Sequence, residues 1–440
     1  MKDEGDEANS RAQERNRKIK AWQMRAAQFM DGSRLTIIVR GHLYWAMDGG
    51  AAHLEGRGQA TMIRNSFPLS ALLGRPIRVF SDRNERERGL TAPQLAGVRL
   101  VSALFDGFLD GAELGSKLVT FRPGDQRSAY ARTEYTAHGA PGSVPWLIHM
   151  SLPCLVFAPR ETLVTYRGGT NVLTALQVAY CTTVFKPIVQ RMGVEFDVDV
   201  DQSTGDVQMR TRPLEDTVRP ITLCERGKVE TIHICCFVTA SSPKHEAERM
   251  IVAAQSVIVD YLSKHEEQQV HVKEEIVLVD TVADGDHIGL IITATTTTGC
   301  IFGSYAHSKK GKFAEKVANK AAASILKNLE YGGCTDEYLQ DELIIFMALA
   351  EGTSKIKTGP LSLHTKAAIF FTQHLTGAEF QVTQADTADT YYIQCEGVGF
   401  IHVLQGTSKH ARELCCGGNQ FSCLILYSTA TIRIKMKTKI

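Results

Sequence analysis

The run Gly359–Gly377, GPLSLHTKAAIFFTQHLTG, holds one histidine in a position where an imidazole could do chemistry. Gly359-Pro360 reads as a turn after a strand. Ala367, Phe370, Phe371 and His374 then recur at the i, i+3, i+4, i+7 spacing of an apolar helix face. His364 therefore falls beside the start of that helix. Free amides and the positive end of the helix dipole gather there; they attract phosphate and disfavour an imidazolium. A neutral imidazole next to a phosphate site is what a nucleophilic histidine needs. On residue chemistry alone, a histidine that merely caps or packs at a helix start is the commoner case.

The elements that must position this residue recur along the chain. Helix-like apolar segments close on a glycine or short turn and lead into β-rich runs, twice per unit. The first unit has FPLSALLG then RPIRVF, followed by LAGVRLVSALFDGFLDGAELG then SKLVTF. The second has SVPWLIHMSLPCLVF then ETLVTY, followed by LQVAYCTTVFKPIVQRMG then VEFDVDV. The third has DELIIFMALAEG then SKIKTG, followed by HTKAAIFFTQHLTG then AEFQV. Three αβαβ units predict a repeated α/β (α+β) core. Units one and two begin about 80 residues apart, units two and three about 190, so about 110 residues are inserted.

This spacing predicts core repeats one and two over 44–223, an inserted smaller α+β domain over 224–334, and repeat three over 335–403. Within the insert it predicts a strand (Val229 to Val238), a long helix (His245 to Lys264), two β-rich runs and a last helix (Phe313 to Leu329). Residues 1–43 are charged and polar and read as a disordered extension; 404–440 read as a tail without an assigned role. Its Cys415, Cys416 and Cys423 form a cluster without histidines in zinc spacing. Phe105, Phe108, Phe157, Phe185 and Phe370 lie in apolar segments and read as packing residues.

Bulk composition narrows the function classes. The 440 residues carry 49 Lys+Arg against 48 Asp+Glu, so a nucleic-acid site must be a local patch. The eleven cysteines show no CxxC pair and fall mostly in apolar stretches, as expected of reduced, buried thiols. No apolar run is expected to reach membrane-spanning length. A Walker A loop, a dinucleotide fingerprint and HExxH are absent.

From DEYLQDELIIFMALAEG through SKIKTGPLSLHTKAAI the chain closely resembles the RNA 3'-terminal phosphate cyclase family in its eukaryotic form. HLEGRGQ (His53 to Gln59), ALLGRPIRV, DGAELGS, GGTN (Gly168 to Asn171), VFKPIV, ERGKV and TTTGCIF follow in family order. The resemblance covers about residues 45 to 403 and implies the same architecture: three repeats with an inserted α+β domain. It implies ATP-dependent conversion of an RNA 3'-phosphate to a 2',3'-cyclic phosphate through a histidine-AMP intermediate, with the nucleophile at His364. It also implies the nucleus as the site of action, with the cytoplasm as a second location, and no membrane partner.

The same resemblance places Tyr338, Asp341, Glu342, His149 and Gln59 near ATP, and Glu55 as a carboxylate for Mg²⁺ on the triphosphate. Arg83 and Arg86 correspond to a pair that would grip the RNA terminal phosphate. Lys309, Lys310 and Lys312 could meet the RNA backbone. The chain also departs from the family. Arg57 replaces the central glycine of EGGGQ, Leu95 follows Gln94 where a histidine is expected, and Leu176 replaces a proline. His149 and Glu342 replace glutamines, and Glu342 is expected to repel nucleotide phosphates unless protonated or metal-bound. The glycine-rich signature before the ERG segment gives way to Asp201–Pro213. These departures imply a second class, a non-catalytic RNA-binding or ribosome-biogenesis factor on the same fold; an enolpyruvyl transferase on a related repeat fold is not supported by the ordered matches.

Overall fold

Each repeat of helix and strand runs contributes four strands to a sheet of its own. The computed structural model describes residues 34–35, 44–48, 51–55, 59–80, 89–139, 143–168, 172–201, 204–239, 244–264, 270–279, 287–309, 314–385 and 389–402; for residues 34–59, 80, 287, 308 and 309 only the backbone is described. All of them belong to one unit, Met1–Gln405. Two short strands, β1 (Arg34–Leu35) and β2 (Tyr44–Asp48), pair antiparallel ahead of the first repeat. Arg34 and Leu35 thus lie in a strand inside a span expected to be disordered, while the rest of residues 1–43 and all of 404–440 lie outside the described residues.

The first repeat runs β3 (Ala51–Glu55), α1 (Gln59–Leu73), β4 (Ile77–Phe80), α2 (Ala92–Leu104), β5 (Phe108–Asp110) and β6 (Leu118–Arg122). The second runs β7 (Glu134–His138), α3 (Val144–Leu155), β8 (Thr162–Arg167), α4 (Val172–Gln190), β9 (Phe196–Val200) and β10 (Val207–Thr211). The third opens with β11 (Thr222–Leu223). Between β11 and the first helix of that repeat lie β12 (Val229–Thr239), α5 (Lys244–Lys264), β13 (His271–Val279), β14 (His287–Thr296), β15 (Ile301–Lys309) and α6 (Ala314–Glu330). The repeat resumes with α7 (Leu339–Glu342), α8 (Ile344–Leu349), β16 (Glu351–Thr358), α9 (Leu363–Thr376), β17 (Glu379–Gln384) and β18 (Tyr391–Val398).

The strand orders β3-β4-β6-β5, β7-β8-β10-β9 and β11-β16-β18-β17 are the same order three times. In each, the first two strands are parallel, as a helix crossover requires, and the last two form an antiparallel hairpin. The unit is therefore βαβαββ rather than the shorter αβαβ of the sequence pattern. The opening strands escape a periodicity reading because β11 has two residues and the other two have five each. The inserted elements make their own sheet, β13-β12-β14-β15, against which α5 and α6 pack.

Helices of different repeats meet in the interior. The helix α1 contacts α2 and α3, and also α9 of the third repeat. Phe67, Phe105, Phe121, Phe157, Phe185, Phe346 and Phe371 are fully buried there. Three sequence expectations need correction. Phe108 is 60% exposed on the edge strand β5, so it is not a packing residue. His374 is exposed rather than part of the apolar face: its ring lies 4.1 Å from that of Phe370 and its Nδ1 lies 2.7 Å from the Phe370 carbonyl. The helix Val172–Gln190 is long and apolar enough to cross a membrane, contrary to the reading of the sequence, but most of that window is buried inside the fold, as in a core helix. All eight described cysteines are free thiols.

Candidate active site

A serine and a glycine fix the ends of α9. Ser362 adopts an extended N-cap conformation and its hydroxyl accepts a hydrogen bond from the Thr365 amide at 3.0 Å, while Gly377 closes the helix with φ 81°, a conformation that costs glycine little. His364 is thereby the second residue of the helix, on an exposed side chain. Replacing Ser362 by alanine removes the cap and is expected to lower stability by about 1 kcal/mol, measurable as a shift in the urea midpoint. The ring is held from the first repeat, since His364 Nδ1 and Thr61 Oγ1 on α1 are 2.8 Å apart. That contact engages Nδ1 and leaves Nε2 outside it.

One turn further along α1 is the only charged residue in that helix, Arg64. An arginine in so apolar a run needs a partner when buried. It finds Asp341 of α7, with Nη2 to Oδ2 2.7 Å and side chains only 14% and 8% exposed. Burial works against the guanidinium charge, but Asp341 and Glu342 outweigh it and hold the Arg64 pKa above its ordinary value. Asn65 Nδ2 donates to Thr372 Oγ1 at 3.4 Å, a second link between α1 and α9.

Beside this pair opens a cleft of about 420 Å³. Ala60 and Arg64 of α1, Gln94 of α2, Trp146 and His149 of α3, and Gln177 and Tyr180 of α4 line it on one side. Tyr305 of the inserted strand β15 and Tyr338 and Glu342 of the third repeat complete it. Tyr305 and Tyr338 stack, with ring centroids 5.6 Å apart and planes at 24°; Tyr180 meets both edge-on, at 6.2 and 5.8 Å. The result is an aromatic wall on which a flat ring can lie. Glu342 Oε2, Gln177 Oε1 and Trp146 Nε1 are buried without hydrogen-bond partners among the described residues. Buried orphans of this kind, lining one cleft, suit a polar ligand.

The structure brings together several of the residues singled out in the sequence. Tyr338, Glu342 and His149 line the cleft, and Asp341 stands behind it through Arg64. His364 is not a lining residue; its partner Thr61 adjoins Ala60, which is. Gln59 begins α1 and Glu55 ends β3, with only their backbones described. Arg57, Arg83, Arg86, Lys310 and Lys312 lie outside the described residues, as does the side chain of Lys309. Sequence reading missed Thr61, Arg64, Trp146, Gln177, Tyr180 and Tyr305. A lone charge in an apolar helix was a usable signal for Arg64; nothing in the sequence marks Tyr305, which comes from the insert.

Three departures find structural places. His149 Nε2 lies 3.1 Å from Glu342 Oε1, so the two replaced glutamines meet each other. The carboxylate expected to repel phosphate is held by an imidazole. Leu176 is fully buried and faces strand β14 of the insert, where a Cβ on Gly289 would sit 2.5 Å from its Cδ1. Within Asp201–Pro213, Val207–Thr211 form β10, the second strand of the β9–β10 hairpin, and none of the described residues of this span lines the cleft.

Three βαβαββ repeats with helices packed on helices, interrupted by a sheet that lends an aromatic ring to a polar cleft, define the class of the protein. The chain belongs to the RNA 3'-terminal phosphate cyclase family, whose model matches residues 54–382. It is 38% identical over 362 residues to the probable RNA 3'-terminal phosphate cyclase of Dictyostelium discoideum, covering 79% of this chain and 82% of that protein. It is 30% identical over 360 residues to the RNA 3'-terminal phosphate cyclase of Drosophila melanogaster, covering 80% and 97%. It is 29% identical over 353 residues to the enzyme of that name from Pyrobaculum aerophilum, covering 78% and 97%.

Proposed function

We propose that this chain converts the 3'-terminal phosphate of RNA to a 2',3'-cyclic phosphate at the expense of ATP, with His364 carrying the nucleotide. The observation that carries this reading is the Thr61–His364 contact, which holds an exposed helix-start imidazole to the residue that follows Ala60 of the cleft wall. Thr61 accepts the Nδ1 proton, which leaves the Nε2 lone pair for the α-phosphorus of ATP. The Nε2–P bond forms as the P–O bond to pyrophosphate breaks. An oxygen of the RNA 3'-phosphate next takes AMP from the ring and frees the imidazole. The adjacent 2'-hydroxyl then attacks the activated phosphorus, loses its proton, and AMP leaves. Ring closure is intramolecular, so proximity supplies much of its rate.

The adenine ring lies against Tyr305 and Tyr338, while Glu342 and Gln177 offer acceptors to nucleoside N–H or O–H groups. Amides at the start of α9 face the phosphates. Among the described residues no group of three or more His, Cys, Asp or Glu could hold a metal ion. Mg²⁺ bound to the triphosphate would neutralise its charge, and Glu55 and Gln59, at the junction of β3 and α1, are the residues that would hold it. Arg83 and Arg86 hold the RNA terminal phosphate.

The test is to incubate the protein with α-labelled ATP, Mg²⁺ and a 3'-phosphorylated oligonucleotide. An acid-labile protein label that chases into AMP, with RNA ends becoming phosphatase-resistant, is expected. RNA binding without label or cyclisation would instead identify a non-catalytic factor.

A further inference from the structure

We propose that Asp336 is a positioning residue that draws the inserted sheet into the cleft, so that the insert supplies part of the nucleotide site. It rests on the cyclase reading for the identity of the ligand. Asp336 is fully buried, and four donors converge on its carboxylate from three parts of the chain. The Tyr180 hydroxyl of α4 donates to Oδ1 at 2.8 Å, and the amides of Tyr338 and Leu339 donate to the same oxygen at 2.9 Å each. The amide of Gly303, in β15 of the insert, donates to Oδ2 at 2.8 Å.

Each donor leads to a cleft residue. Tyr180 and Tyr338 line the cleft themselves, Leu339 opens the helix that carries Asp341 and Glu342, and Gly303 is two residues from Tyr305 on the same face of β15. Gly303 must be a glycine for this to happen, since a Cβ there would fall 2.6 Å from the Tyr180 ring. The carboxylate thus fixes β15 against α4 and sets the Tyr305–Tyr338 stack. Its electrostatics argue against a purely stabilising role. Burial pushes the carboxyl up to about 6 in spite of its four donors. A folded-state pKa above the unfolded value means the charge costs stability above about pH 6, a cost that fades as pH falls toward 4.

The geometry allows a selective cut. In Asp336→Asn the amide oxygen can keep the three donors on the Oδ1 side, while the amide nitrogen meets the Gly303 N–H donor to donor. Only the link to the insert is lost. The expected result is an ATP affinity about tenfold weaker, with the adenylation rate at saturating ATP within about twofold of wild type. Faster amide exchange across Ile301–Lys309 should accompany it. A variant with a lowered Tm but unchanged ATP affinity would mean a structural role only and overturn the proposal. Should the variant not fold, exchange in the wild type decides: ATP must slow exchange in β15, and no such protection refutes the idea. Because affinity is the readout, a protein that binds ATP without cyclising RNA sinks the cyclase reading alone, and a protein that binds no ATP overturns both.

Discussion

His364→Ala is expected to abolish covalent labelling by α-labelled ATP and to lower RNA cyclisation by on the order of 10⁴-fold or more, as loss of a nucleophile does elsewhere. The side chain is exposed and its only described hydrogen bond is to the buried Thr61 hydroxyl, so its removal unpairs that one group, a cost of about 1–3 kcal/mol that the fold should survive. The variant should therefore melt slightly below the wild type and still bind ATP. Thr61→Val separates orientation from nucleophilicity. It keeps the imidazole and removes the hydroxyl that fixes Nδ1, so labelling should slow by about tenfold rather than vanish, the scale of a lost orienting contact of about 1.4 kcal/mol. Full labelling of His364→Ala would show that another residue is the nucleophile. Unchanged rates in Thr61→Val would show that the 2.8 Å contact does not orient the ring.

How much of this could be read from the sequence follows from the kind of signal each feature leaves. Helices α3, α4 and α9 announce themselves through runs of apolar residues bounded by Ser143, Gly193 and Gly377, and their repetition gave the three units. The opening strands, such as the two-residue β11, are too short for periodicity and exist because a neighbouring strand pairs with them. The helix start at His364 was legible because the Gly359-Pro360 turn and the following apolar face are local. Its partner Thr61 is 303 residues away and leaves no local trace. The meeting of His149 with Glu342 is of the same kind: each looked like damage alone, and only the fold makes them a pair. Tyr305 and Asp336 were invisible as site residues because their importance comes from how the insert seats on α4.

The same distinction sets the cost of breaking the Arg64–Asp341 pair. Asp341→Ala is expected to destabilise the protein by about 3–5 kcal/mol, because it strands a guanidinium whose surroundings are almost closed to water. Glu342 cannot take over fully, since its Oε1 already faces His149. Arg64→Met removes the charge that Asp341 balances and should cost a similar amount, leaving a buried carboxylate instead. Replacing both with apolar residues of matching size, Arg64→Met with Asp341→Leu, should recover most of the loss, because the desolvation of two charges is then no longer required. All three variants should nevertheless lose ATP binding, since Arg64 faces the cleft and Asp341 orients it. Urea midpoints for the singles and the double, alongside ATP affinity, separate the two contributions. If each single variant costs less than about 1 kcal/mol, the pair behaves as a screened surface contact and the cleft wall is more open than its geometry indicates. If the double recovers stability and binding together, the pair serves the fold alone, and the nucleotide is held by the aromatic wall and the start of α9.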